Sequence, residues 1–190
     1  MLRTIPLLLL LLVPLAGVQA QEEPEERVEP IELTLAFRSR SETVEDDAFE
    51  SKARSSTLRS VVGVHTRPVH GFSLRAEGEH VFDVGSDGPH NDRPTIADPE
   101  GVDLNQAYLS FESDDLAARV GKQEIVLDDS RFIGNVGWRP HHQSFDGALF
   151  EVKALSRTSL TYVYVDRVHR IFRTRDDMSS HLFNGSWTPD

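Results

Sequence analysis

"GFSLRAEGEHVFD", residues 71–83, decides the fold. Phe72, Leu74, Ala76 and Phe82 fall on one side of an extended chain, and Arg75, Glu77 and Glu79 on the other. Successive side chains of a strand point to opposite faces, so this period of two predicts a strand with one apolar and one polar face. The spacing recurs on both sides of it. "IELTLAFRSR" sets Ile31, Leu33, Leu35 and Phe37 against Glu32, Thr34 and Arg38, and "LRSVVGVHT" sets Leu58, Val62 and Val64 against Arg59 and His65. In "NQAYLSFES", Ala107, Leu109 and Phe111 oppose Gln106, Tyr108 and Ser110; in "LAARVGKQ", Leu116, Ala118 and Val120 oppose Arg119 and Gln123. "GALFEVKA", "SLTYVYVDR" and "SHLFNGSW" complete a set of about eight candidate strands. The alternation leaves the faces around Tyr162 and Tyr164 unassigned.

The connections carry the architecture. Longer stretches at 41–54, 85–104, 126–143 and 171–179 alternate with the short "RPVHG", "SDD" and "LSRT". A soluble sandwich has no reason to gather its long loops at one end. A transmembrane antiparallel up-and-down β-barrel does: short periplasmic turns, long outer loops, and strands of ~10 residues alternating apolar-out and polar-in. The competing architectures are a soluble periplasmic or secreted β-protein that binds carbohydrate, and a small eight-stranded barrel serving as an anchor.

Composition narrows the partners. The chain opens with "MLRTIPLLLLLLVPLAGVQA", where Arg3 precedes an apolar run and Val18-Gln19-Ala20 fits a cleavage site. Residues 1–20 therefore read as a secretory signal peptide, residues 21–30 as an acidic periplasmic leader, and 31–190 as barrel. The run is too short for a membrane helix, which needs ~20 apolar residues. With no cysteine, neither a lipid anchor on cysteine nor a disulfide is available. A net charge of −11 argues against nucleic acid, which needs a basic footprint. Oligomeric state is not written in these features.

The ordered series "ADPEG" (97–101), "NQAYL" (105–109), "VGKQ" (120–123), "LDDSRFIGNVGWR" (127–139), "QSFDG" (143–147) and "YVDRVHRIF" (164–172) resembles the alginate-export-domain family of Gram-negative outer-membrane porins. The resemblance runs from about residue 31 to the end. It implies a single-chain barrel of well over twelve strands, in contact with outer-membrane lipid and the barrel assembly machinery. It also implies passage of solutes, in some members an anionic polysaccharide, through a pore lined by basic residues. Family members continue beyond "NGSWTPD", so the expectation is the N-terminal portion of a porin: eight strands of a larger barrel, present as an open or incomplete sheet.

Two constellations bear on function. On the polar faces, Arg38, Arg59, Arg75, Glu77, Glu79, Tyr108 and Arg119 are the candidate pore-lining residues. Arginine suits carboxylate recognition because its planar fork pairs bidentately. The plainer reading is that these arginines pair with Glu32, Glu77, Glu79 and Glu112. The second is "RFIGNVGWRPHHQSFDG", residues 131–147. Its adjacent His141 and His142 point apart on an extended chain, whereas zinc motifs space histidines by three or more. Ser130 and Ser144 lack the scaffold of a hydrolase. The reading adopted is a constriction loop folded into the barrel mouth. Gly134 and Gly137 would allow its turns, Phe132, Ile133 and Trp138 would pack it down, and Arg131 and Arg139 would face solutes. Asp166, Arg167 and Arg170 are expected at the outer end of their strand. No catalysis, metal or cofactor is implied.

Overall fold

The computed structural model describes residues 30–86, 96–153 and 157–188. The signal peptide and nearly all of the acidic leader lie outside the described residues. The strands are β1 (Ile31–Val44), β2 (Ala53–Thr66), β3 (Phe72–Asp83), β4 (Gly101–Glu112), β5 (Leu116–Gln123), β6 (Ser144–Val152), β7 (Thr158–His169) and β8 (Arg175–Trp187). They form one antiparallel up-and-down sheet in sequence order, with β1 and β8 as open edges. The fold is all-β, as the alternation predicts.

Register shows why the pattern was readable. One face carries cross-strand rows such as Leu33, Val64, Ala76 and Ala107, then Leu74, Leu109, Val120 and Ala148. Leu33, Leu35, Phe37, Val62, Leu74, Leu109 and Val120 on this face are all exposed. The other face buries Ser55, Thr57, Glu77, Glu79 and Gln106. Exposed apolar rows opposite buried polar groups invert the arrangement of a water-soluble sheet and match a wall with lipid outside. Near the short-turn end the outward face carries a row of aromatics: Phe72, Phe111, Phe150, Tyr162 and Phe183. Phe72 and Phe111 lie 4.8 Å apart between ring centroids, and Tyr162 and Phe183 5.1 Å. Such a girdle belongs at a membrane interface. It also settles Tyr162 and Tyr164, which face outward while Val163 and Val165 are buried inward.

Two element boundaries differ from expectation. β1 extends to Val44 and β2 starts at Ala53, so the first connection shrinks to 45–52; β8 starts at Arg175, so the last is only 170–174. The alternation of long and short connections therefore fails at its last member. The added segments, "SETV" and "RDDMSS", are polar on both faces because they project past the apolar band, and period-two hydropathy cannot mark them. They are held instead by ladders and charge pairs, as where Arg167 faces Asp177 at 2.6 Å. Bulges interrupt β3–β4 at Glu77/Gly78, β6–β7 at Asp146/Gly147 and β7–β8 at Val165/Arg167.

Candidate functional site

The inward face has a hydrophobic half and a charged half, and the β5–β6 connection, residues 124–143, spans both. Over β5 to β8, buried Ile125, Phe145, Leu149, Val163, Val165 and Val168 form a core joined by Leu127, Ile133 and Leu182. Burying a side chain of this size stabilises by about 1.5–3 kcal/mol. Ile125 and Ile133 therefore fasten the loop to the wall. Phe132 does not: it is 89% exposed, contrary to its expected packing role. The turns also differ from expectation. The left-handed residues are Asp128, Ser130 and Val136 rather than Gly134 or Gly137. Asp and Ser tolerate that region, whereas a β-branched valine there is an outlier and costs about 1–3 kcal/mol. Gly134 is needed for space: a Cβ there would lie 2.8 Å from Ser130 Cβ.

The loop then reaches β1. Arg38 donates Nη1 to the Gly137 carbonyl at 2.5 Å and Nη2 to that of Trp138 at 2.9 Å. Beside it, Asp98 of the β3–β4 connection has a side chain only 1% exposed and is gripped by Arg40 and by Arg139 at 2.9 Å. Arg40 also pairs with Glu42. Trp138 stays half-exposed with both guanidinium groups near its ring, Arg139 at 4.2 Å and Arg40 at 5.3 Å from the centroid. At its other end the loop touches β8, where Asn184 donates to Asp128 at 2.9 Å. Residues 124–143 thus contact both edge strands from the inside.

Between these anchors runs a polar network. Arg59 pairs with Glu79 at 2.7 Å, and Glu79 accepts from His141 Nδ1 at 2.8 Å. Arg75 pairs with Glu77 at 2.8 Å. Asn105 donates to both Glu77 at 2.8 Å and Glu124 at 2.7 Å, and Glu124 also receives Asn135 at 2.5 Å and His142 Nδ1 at 2.9 Å. Burial pushes the Glu124 carboxyl up, but the donors His142, Asn105 and Asn135 outweigh it and hold the group at about 2.

The sequence-predicted residues therefore divide. Arg59, Arg75, Glu77 and Glu79 satisfy one another on the inward face as the plainer reading expected. Arg38 instead holds loop carbonyls, Arg119 lies 5.6 Å over the Tyr108 ring, and Glu112 pairs with Lys153 at 2.5 Å. Trp138 and Arg139 sit at the β1 staple, while Arg131 is exposed with its backbone N–H on Asp129 at 3.1 Å. Asp166, Arg167 and Arg170 fall at the long-loop end of β7, where Arg170 pairs with Asp176. Sequence reasoning missed Asp98, Glu42, Asn105, Glu124 and Asn135. "ADPEG" contained Asp98, but nothing local marks a carboxylate that two distant arginines will bury.

An all-β wall with lipid-type exposure outside and an inward-folded loop has one further measure, likeness in sequence. Residues 30–187 match the alginate export family. The chain belongs to that family. Among solved structures, the outer-membrane porin OccD3 (OpdP) of Pseudomonas aeruginosa is similar at 15% identity and a TM-score of 0.47, over 84% of this chain and 36% of that one. The chain thus spans about a third of that porin's length. No curated protein matches it.

Proposed function

We propose that this alginate export family chain forms part of the wall of an outer-membrane pore wider than eight strands, with residues 124–143 as its constriction loop and anionic saccharides as the solute class. The observation that carries the reading is the loop's double attachment, through Arg38 and the Asp98 staple to β1 and through Asn184 to β8. A closed eight-stranded barrel has an interior just wide enough for side chains. Residues 124–143 and the Arg59–Glu79 and Arg75–Glu77 pairs would not fit in it together, which also disfavours the small-anchor alternative. The free edges of β1 and β8 need further strands, since unpaired backbone groups in lipid cost several kcal/mol each.

Support for an anionic solute comes from Arg38 and Arg131, which make no ion pair among the described residues and leave positive charge at the loop. The test has two stages. The chain should stay with outer membranes through high salt and carbonate and require detergent for release; release by salt would favour the soluble carbohydrate-binding alternative. In a full-length homologous pore, replacing the arginine at the position of Arg131, which makes no ion pair among the described residues, should shift ion selectivity toward cations. Unchanged selectivity would remove the loop from the permeation path.

A further inference from the structure

Trp138 is 55% exposed, although tryptophan is highly buried on average. The ring is not loose. Arg38 holds its carbonyl and that of Gly137, Arg139 lies 4.2 Å from the ring centroid and Arg40 5.3 Å. One carboxylate, that of Asp98, grips both of those guanidinium groups, which draws them together on one side of the indole. The open surface is therefore the rest of a ring that is already held still. The ion pairs of the staple join Asp98 to the two arginines and need no indole between them. Keeping so large an apolar surface in water forgoes the free energy that covering it would return.

The surroundings of the ring say what would cover it. β1 turns Arg38, Arg40 and Glu42 to the inward face, in register with Arg59, Thr57 and Ser55 of β2. They follow one another at two-residue steps of about 6.7 Å. Arg38 is exposed and makes no ion pair among the described residues, and Glu42 lies 3.9 Å from Arg139. The π cloud of an indole face is negative and meets the weakly positive C–H bonds on the face of a sugar ring. The guanidinium and carboxylate groups at its border donate to and accept from hydroxyls. A lipid chain or an apolar peptide would cover the ring too, but would strip water from those charges and give nothing back.

We infer that Trp138 is a stacking platform for a pyranose ring, with Arg38 and Glu42 taking oxygens at its border. The assignment rests on reading residues 124–143 as the constriction loop, and adds to it a contact with the body of the sugar rather than with its charge.

The full chain carrying Trp187→Phe, which leaves Trp138 as its one tryptophan, is refolded in zwitterionic detergent. Equilibrium dialysis against trigalacturonate and against maltotriose should give saturable binding of both, because the two share the C–H faces that the ring reads. Each sugar at saturation should shield Trp138 from quenching by acrylamide. Trp138→Leu should weaken both about tenfold or more, as loss of a stacking surface does, while Trp138→Tyr keeps most of the affinity. Phe132→Leu, on the other exposed ring of the loop, should leave binding unchanged. No saturable binding, binding of the acid alone, or full affinity in Trp138→Leu overturns the platform. So does equal loss in Phe132→Leu, which would mean general adhesion to open rings. Unaltered quenching at saturation overturns it without any substitution at Trp138, and so decides even where Trp138→Leu fails to fold. The pore reading fails on different results, salt release from membranes or unchanged selectivity at Arg131, and neither depends on whether sugar shields Trp138.

Discussion

Replacing Asp98 by asparagine keeps the shape of the staple and removes its charge. Two guanidinium groups, those of Arg40 and Arg139, then face each other around a neutral amide, with Glu42 remaining on Arg40 and 3.9 Å from Arg139. Losing one partner of a desolvated charge pair costs about 2–5 kcal/mol. The arginines keep 14% and 18% of their side-chain exposure and share Glu42, so the lower half of that range applies, about 2–3 kcal/mol. At 1.4 kcal/mol per tenfold, the loop should open about 30- to 150-fold more often. Hydrogen exchange reads this directly, because loop amides exchange through local opening. The reporters are Leu127 N–H on the Ile133 carbonyl at 3.0 Å, Arg139 N–H on Val136 at 3.0 Å and Gln143 N–H on Asn135 at 2.8 Å. Asp98→Asn in detergent-refolded protein should accelerate peptides covering 124–143 by that factor and leave the β2–β3 ladder unchanged. Unaltered loop exchange would show that Ile125 and Ile133 hold the loop without the staple. Uniform acceleration of the strands would show that Asp98 supports the sheet instead.

Three other outcomes follow from particular contacts. Leu109→Lys puts a charge on the lipid face and should cost ~2–4 kcal/mol, impairing membrane assembly more than Tyr108→Lys on the opposite face; equal yields of heat-modifiable protein would mean the faces are reversed. At Gly101 (φ +136°) an added Cβ would meet Arg173 Nη1, so Gly101→Ala should displace Arg173 from the Glu100 and Val102 carbonyls and the Asp103 carboxylate it holds and speed exchange of β4 amides near Val102, an effect that should be absent for Gly78→Ala. Glu124 has a folded pKa of about 2 against an ordinary 4.5, so its contribution is complete above about 4.5 and is lost as pH falls toward about 2; Trp138 fluorescence should report loop release in that window, and Glu124→Gln should flatten the pH response there.

The part of the fold legible in the sequence is the part that touches two solvents. Where one face meets lipid and the other water, as along Leu33–Phe37 or Leu74–Phe82, hydropathy alternates and register can be read. Past the apolar band both faces are wet, and Ser41–Val44 and Arg175–Ser180 carried no such signal. The inward face was legible as polar but not as a set of partners. Arg59–Glu79 and Arg75–Glu77 follow from strand neighbours, whereas Arg38 binds loop carbonyls 99 and 100 residues away. Tyr162 and Tyr164 were ambiguous because both of their faces are apolar there: aromatics outside, and Val163 and Val165 under the loop inside. In the loop, glycines drew attention as the turn formers, while "DDS" held two of the three residues that adopt the left-handed backbone, Asp128 and Ser130, with Val136 the third.

The loop's attachment to both edge strands has a consequence for how the wall acquires its shape. Asp128 and Gly137, the positions tied to β8 and β1, are separated by so little chain that even full extension spans on the order of 30 Å. Eight strands laid flat would place the β1 and β8 backbones about 34 Å apart, seven gaps of about 4.8 Å, so with the Arg38 and Asn184 side chains added the loop crosses the sheet with little slack. Once both ties form, residues 128–137 act as a bowstring that limits how far the sheet can flatten. A sheet held this way turns the open edges of β1 and β8 toward each other rather than toward a second molecule. Severing either tie should flatten the bow, and the first symptom would be aggregation during assembly rather than altered transport.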